Sequence, residues 1–500
     1  MKRFWLFLLL VAFLTRLAAA LYWDDRVRSA AFVPGVAPSE LAQTADSPQS
    51  ARPAPSDGPF FFGDSDSYWK LGRALAFGRP YRFDEERRWE IFRTPGYPAL
   101  LTPLFWAFGE NPPVFAARFL GVCFGTANVG LVGLLAFAYF RRRSIAAFSG
   151  VVATFEPTLV FESVLVLSEE PFLTFALLQH LVALDVARRL GLLALPTAEF
   201  SPSPAPNSPY FFTVDAPPPL GRLALSGVAL GVLSAATVYL RPSWLYFLPF
   251  ATFFAFAFRF FVFATEKRAQ RLHVVPPAAV KLDAKRRVFP AVLVVAGVAF
   301  VLFNVALSPW TFRNYRLTGR PIATSLQMGA SLYDGWRPDA DGSSDMRFVD
   351  EFRRLELESP SGPTSDHFEI RLDERLKGAA LDWARSNPGA VVRLAAVKLV
   401  RLWSPIPREP AFSTPALRTL LAVSFTPLLV GGLCGFYRSF RRRGAAWTLL
   451  IPALYVSALH SIFVSSIRYR VPILYGFILL TAFFVLSTLD ERRRRSVRPN

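Results

Sequence analysis

The sequence has little of what a disulfide or metal framework is built from: two cysteines, four histidines and three methionines in 500 residues. Cys123 and Cys434 both fall inside apolar runs, where a thiol reads as a small buried hydrophobe rather than as half of a disulfide or a metal pair. His180, His273, His367 and His460 are scattered, and no His/Cys/Asp grouping has zinc-ligand spacing. No metal ligand is therefore assigned and no cofactor is certain; a divalent metal stays open. Acidic residues are also in deficit, 37 against 56 Lys and Arg, for a net charge of +19. No nucleic-acid-reading motif accompanies that charge, and much of it sits in short clusters beside apolar runs, as cytoplasmic flanks of membrane helices do. Nucleic acid is therefore not an expected partner. No short internal repeat is visible, which sets aside the repeat architectures.

What is abundant is apolar residue: 52% of the chain is hydrophobic and 15% aromatic, with a mean hydropathy of +0.32. A soluble chain of this length would divide into several domains with polar helix faces. Here long apolar runs recur from one end to the other, which points to an all-α polytopic membrane protein of about ten transmembrane helices, surrounded by membrane lipid. The expected location is the bacterial inner membrane.

The first run, Phe4 to Trp23, follows Lys2-Arg3 and ends in small residues. A cleaved signal peptide is the competing reading; Arg16 inside the run argues against it, because such apolar segments normally lack charge. Further spans are expected at about 114–140, 144–165, 168–187, 221–240, 243–263, 288–308, 414–436, 445–464 and 471–489. Alternating them places every strong basic cluster on the cytoplasmic side: Arg141 to Arg143, Arg188-Arg189, the stretch 266–287, Arg438 with Arg441 to Arg443, and Arg492 to Arg495. Residues 24–112 then form a first external loop and 309–411 a large one, within one membrane domain over 1–490; a basic cytoplasmic tail, 491–500, follows. Stretches 34–59 (external) and 196–219 (internal) are rich in proline and serine and read as inserted linkers.

External interfacial helices are expected as well. Tyr68, Trp69, Leu71, Leu75 and Phe77 form an amphipathic pattern. Pro98 to Phe108 is apolar but too short to span. Phe368, Leu372, Leu376, Ala379 and Trp383 share one helical face; Asn387-Pro388 stops that helix, and Ala390 to Trp403 begins another.

The first external loop carries Asp64-Ser65-Asp66-Ser67-Tyr68 and, later, Phe92-Arg93-Thr94-Pro95-Gly96-Tyr97-Pro98. A carboxylate pair thus precedes an interfacial helix, and an arginine precedes a rigid turn. Read alone, Asp64 is a helix N-cap and Arg93 an interfacial anchor.

Together with more distant strings, these motifs resemble the protein O-mannosyltransferase superfamily, which includes the bacterial aminoarabinose transferases that modify lipid A. Ser168-Glu169-Glu170-Pro171-Phe172 looks like that family's Glu-Pro helix start. Pro309-Trp310-Thr311-Phe312-Arg313-Asn314-Tyr315 is similar to the opening of its large loop, which Ser325 to Gly335 continues. Arg468-Tyr469-Arg470-Val471-Pro472 resembles its last external turn. Any one string is weak; five in fixed order, from residue 1 to about 485, are not. The turn Arg93 to Pro98 has the generic bacterial form, so sugar and acceptor stay open.

The resemblance implies a glycosyltransferase of the membrane-embedded GT-C type, taking a polyprenyl-phosphate-linked sugar and acting on the external, periplasmic face. The residue types suit that chemistry. Inverting transfer from a phosphate needs one carboxylate to deprotonate the acceptor hydroxyl, and cations to stabilise the departing phosphate. Guanidinium is suited to the second task because its planar fork grips phosphate oxygens. On the family's pattern Asp64 is the general base and Asp66 its reserve, while Arg93, Arg313, Arg468 and Arg470 are candidates for the donor phosphate. Tyr68 and Tyr97 support the site. Glu170 is expected to pair with one of the arginines or to shape the site, with Glu169 competing for the role. His460 is the only histidine within reach of the site, and a satisfied helix histidine is the better reading of it. The acceptor is a protein, a lipid or a polysaccharide. A flippase for lipid-linked sugars and a polysaccharide ligase are the rival readings; a transporter would show broken spans at mid-membrane and repeat symmetry.

Overall fold

Long apolar runs fold as helices in the computed structural model, which describes residues 2–28, 60, 63–83, 89–190, 219–254, 257, 282–362, 366–407, 414–441 and 445–496. In chain order the helices are α1 (Lys2–Arg28), α2 (Gly63–Ala76), α3 (Gly96–Phe108), α4 (Val114–Phe140), α5 (Arg143–Phe155), α6 (Pro157–Glu162), α7 (Glu169–Arg189) and α8 (Leu220–Leu240). Then come α9 (Leu282–Thr318), α10 (Met328–Gly335), α11 (Phe348–Glu358), α12 (Phe368–Ser386), α13 (Pro388–Trp403), α14 (Pro415–Arg441), α15 (Ile451–Ile462) and α16 (Val471–Ser496). No strand occurs among the described residues. The linkers at 34–59 and 196–218, most of the basic stretch at 266–287 and the last four residues of the tail lie outside the described residues.

Among the described residues, eight segments are long and apolar enough to cross a membrane: Lys2–Asp25, Val114–Phe140, Glu169–Arg189, Leu220–Leu240, Phe289–Thr318, Pro415–Arg441, Ala445–Ile462 and Ile467–Ser496. The chain is a multi-pass membrane protein. Of the other two expected spans, 243–263 lies partly outside the described residues. The one expected at 144–165 is not a single helix and needs correction. It breaks at Glu156, after which come the six residues of α6 and an irregular segment to Ser168.

Pro157 causes the break, since it lacks the N–H that would continue α5. Glu156 caps the new start, accepting from Leu159 N at 2.8 Å and from Thr158 Oγ1 at 3.0 Å. Carbonyls freed at the end of α5 also find a donor: Arg16 Nη2 reaches Ala153 O at 3.0 Å, and Nη1 reaches Thr154 O at 3.3 Å. The charge inside the first apolar run is thus a buried bracket for broken backbone, a task that arises only where such backbone is enclosed by protein.

Close helix contacts are made by glycines. Gly231 of α8 faces α9 so tightly that a Cβ there would lie 2.5 Å from Ala299 O. Gly431, Gly432 and Gly435 of α14 do the same against α16, whose buried stretch from Val471 to Ala482 lies at the centre of the bundle.

The amphipathic patterns fold as expected. Gly63–Ala76 and Gly96–Phe108 pack against each other, and Asn387 ends α12 just before Pro388 starts α13. Apolar faces of this region gather Trp89, Ala330, Phe348, Val349, Leu372 and Leu376. Beside them the Glu369 carboxylate, 1% exposed, accepts from Glu90 N at 2.7 Å and Ile91 N at 3.0 Å. It thereby ties α12 to the strand of chain that leads into Arg93.

Burial pushes the Glu369 carboxyl up to about 7, helped by the Glu90 charge and opposed by the two backbone N–H groups. An acid whose pKa rises on folding binds its proton more tightly in the native state, so this group's contribution to stability falls as pH climbs from about 4.3 to 7. Glu369→Gln removes that titration. Melting curves recorded between those pH values should therefore fall less steeply with pH in the variant than in the parent; parallel curves would show that Glu369 does not titrate there.

Candidate active site

The site forms at the bundle end away from Arg438, Arg441 and Arg492 to Arg495. Asp64 sits in the first turn of α2, where its backbone carbonyl accepts from Ser67 Oγ at 2.7 Å. Its carboxylate does not cap the helix. Oδ1 accepts from Arg93 Nη2 at 2.5 Å and Oδ2 from Arg468 Nη2 at 3.1 Å. These partners lie 29 and 404 residues away along the chain.

Local structure explains how each arrives. Arg93 precedes the turn Thr94-Pro95-Gly96, and that turn abuts the end of α8. A Cβ on Gly96 would lie 2.5 Å from the backbone of Tyr239, so only glycine fits. Arg468 lies in the 3₁₀ turn Ile467–Arg470, whose start is capped by Ser466. From there its Nε also donates to Glu169 Oε1 at 2.6 Å. Glu169 lies in the first turn of α7 and is 1% exposed. The same Oε1 lies 3.3 Å from Arg241 Nη1, which comes from the end of α8.

Aromatic rings hold these heads in place. Tyr68 and Tyr97 meet edge to face with centroids 5.2 Å apart, and the Arg93 guanidinium lies 5.3 Å from the Tyr68 ring. Arg241 sits 5.8 Å from Phe172 and 5.7 Å from Tyr469. Tyr469 in turn stacks on His460 at 4.3 Å.

The electrostatics follow. Burial acts to raise the Asp64 pKa, but the Arg93 and Arg468 charges and hydrogen bonds outweigh it and hold the carboxyl well below the usual range. Burial opposes the Arg93 charge, and Asp64 with Tyr68 more than restores it. Burial raises the phenols of Tyr68 and Tyr97, so neither ionises near neutrality. The Asp64 side chain is 33% exposed whereas Arg93 and Arg468 are 15% and 17% exposed. The carboxylate is therefore the most solvent-reached of the three, and the cations sit deeper.

The other expected site residues lie elsewhere. Asp66 turns outward and pairs with Lys70 at 2.8 Å. Arg313 braces the loop: it donates to Glu90 O at 2.8 Å and lies 4.6 Å from the Trp310 ring. Arg470 is fully buried, donating to Ser404 O at 2.7 Å with its guanidinium 3.6 Å from the Phe425 ring. Glu170 accepts from Asn128 Nδ2 at 2.7 Å and lines a small cavity with Arg16 and Tyr475. The pairing with site arginines belongs to Glu169. His460 donates from Nδ1 to Val464 O at 2.6 Å if that nitrogen carries its proton. Among the described residues no group of three or more His, Cys, Asp or Glu could hold a metal ion.

Sequence reasoning missed Arg241. Its signal was the string Arg241-Pro242 at the end of an apolar run, a cation ahead of a rigid turn like Arg93.

No protein-family model and no curated protein matches this chain. Among solved structures, the archaeal oligosaccharyltransferase AglB from Archaeoglobus fulgidus, in complex with an inhibitory peptide and a dolichol-phosphate, is 14% identical. The match covers 98% of this chain and 52% of AglB, with a TM-score of 0.48. This chain thus spans about half of AglB. ArnT from Cupriavidus metallidurans, bound to undecaprenyl phosphate, is 13% identical over 88% of this chain and 77% of its own, with a TM-score of 0.29.

Proposed function

We propose that the chain is a membrane-embedded glycosyltransferase that moves a sugar from a polyprenyl-phosphate donor to an acceptor hydroxyl, with inversion, on the external face. The observation that carries this is the half-buried Asp64 carboxylate held between Arg93 and Arg468. A single solvent-reached carboxylate flanked by cations, with Glu169 behind Arg468 shut off from solvent, suits transfer from a phosphate, which leaves well without an acid. A glycoside hydrolase would need a second carboxyl in fixed relation to the first. The order of motifs from Asp64 to Pro472 supports the same reading. Positive clusters at the opposite end favour the external face for the site.

The reaction then runs as one displacement. The acceptor O–H gives its proton to Asp64 while its oxygen attacks the anomeric carbon. The bond from that carbon to the phosphate oxygen breaks, and the polyprenyl phosphate leaves with the electron pair. Arg93 and Arg468 stabilise the charge gathering on the leaving group.

An Asp64 clamped by two guanidiniums is a weak base, because a general base works best with a pKa near the operating pH. The donor phosphate competes for the same N–H groups. As the arginines turn to it, the Asp64 carboxyl loses the charges that depress its pKa and becomes more basic. Donor binding therefore both seats the leaving group and arms the base.

The test is transfer from a panel of radiolabelled polyprenyl-phosphate sugars, using membranes that carry the parent chain. Label moving to an acceptor supports the reading and names the sugar. Label that only crosses the bilayer, with no glycoside formed, replaces it with flipping. Arg93→Ala should raise the donor Kd by about tenfold or more, the size expected when a hydrogen bond to a charged group is lost. Equal affinity in variant and parent would return Arg93 to the role of anchor.

A further inference from the structure

Arg241 is over-supplied for an anchor. A snorkelling arginine at a helix end places its head in water, yet the Arg241 side chain is only 15% exposed. Its Nη1 is shut off from solvent and makes no hydrogen bond among the described residues. Its nearest acceptor, Glu169 Oε1, is already taken by Arg468 at 2.6 Å, and the 3.3 Å approach of Arg241 lacks hydrogen-bond geometry. A buried guanidinium N–H left without an acceptor costs free energy. Meanwhile Phe172 and Tyr469 hold the head in position, and Tyr469 also lies 6.0 Å from the Arg468 guanidinium. Arg241 is therefore pre-set beside Arg468, one of the two arginines that clamp Asp64, with bonding capacity in reserve.

We propose that Arg241 is a third ligand of the donor phosphate, its guanidinium passing from Glu169 to the phosphate oxygens when lipid-linked donor enters. The proposal rests on the glycosyltransferase reading above and deepens it, by assigning a residue outside the recognised motifs to leaving-group stabilisation. Because the head is already fixed between rings, little side-chain freedom is lost on binding.

The experiment is equilibrium binding of radiolabelled polyprenyl phosphate to the full chain in phosphatidylcholine nanodiscs, for parent, Arg241→Gln and Arg241→Lys. Expected is at least a tenfold weaker Kd for Arg241→Gln and partial recovery in Arg241→Lys, which keeps charge but not the fork. In transfer assays the loss should appear in the donor KM more than in kcat.

Equal Kd for parent and Arg241→Gln overturns the proposal and leaves the functional reading intact. A parent that binds no polyprenyl phosphate overturns both. Competition by phosphatidylglycerol or inorganic phosphate at concentrations like that of the ligand would mean a general anion site and also overturn it. Should Arg241→Gln fail to fold, phenylglyoxal labelling of the parent decides: polyprenyl phosphate should protect the peptide that carries Arg241, and unprotected labelling overturns the proposal.

Discussion

Asp64→Asn should lower sugar transfer by about 10²- to 10⁴-fold, the usual contribution of a positioned general base, while the chain still folds. The amide keeps the shape and one acceptor oxygen for Arg93 or Arg468, but it cannot take the acceptor's proton. Folding is expected to survive because α2 is held through its other face: Leu71, Gly72 and Ala74 are buried, and a Cβ on Gly72 would lie 3.1 Å from Leu101 of α3. Single-turnover transfer with a saturating labelled donor, beside a melting curve in detergent, separates the two effects. Asp64→Glu, with the charge kept but moved by a methylene, should fall between parent and amide. Parent-like turnover in Asp64→Asn would remove Asp64 as base, and a collapsed melting temperature would make it a structural linchpin instead.

Gly435→Val should have the largest effect on the fold. A Cβ at Gly435 would lie 2.1 Å from Leu480 O and 2.7 Å from its carbonyl carbon. Both are backbone atoms of α16, so no side-chain rotation relieves the clash and α14 must part from α16. Overpacking of this kind costs about 3 kcal/mol or more where backbone cannot yield. The effect reaches the site as well, since the turn that carries Arg468 runs directly into α16. Gly297→Val is the control: a Cβ there meets nothing within 4 Å. Yield of folded protein and thermal midpoint in detergent report the difference, and a Gly435→Val chain that melts with the parent would show that the two helices do not pack as described.

Eight of the spans, the amphipathic helices and the proline turn were legible because each is written in local pattern: apolar length, helical period, a proline at a boundary. The break at Pro157 was not. Apolar residues run on both sides of it, and the donor that makes the broken backbone tolerable, Arg16, lies 137 residues from Ala153. No window along the chain contains both.

The site was half legible for a geometric reason. Motifs identify neighbourhoods, but helix rotation decides which neighbour faces which way. Glu169 and Glu170 are consecutive on α7, about 100° apart around its axis; the first meets Arg468 and the second Asn128. Asp64 and Asp66 diverge similarly on α2. In a 3₁₀ turn residues two apart lie about 240° apart, which sends Arg468 to Asp64 and Arg470 to Ser404. Arg313 lies apart from Asp64 for another reason: the carbonyl that holds it, Glu90 O, lies 223 residues upstream.

The 404-residue separation of Asp64 and Arg468 also sets an order of events during biosynthesis. Asp64 leaves the ribosome early, and Arg468 arrives only with the hairpin of α15 and α16. Until that hairpin inserts, Asp64 has Arg93 but not its second cation, and Glu169 lacks its 2.6 Å partner. A nascent chain in the membrane, or one truncated before α15 and α16, is therefore unable to complete the pocket. Assembly of the pocket therefore waits on the insertion of α15 and α16, however early its first carboxylate is made.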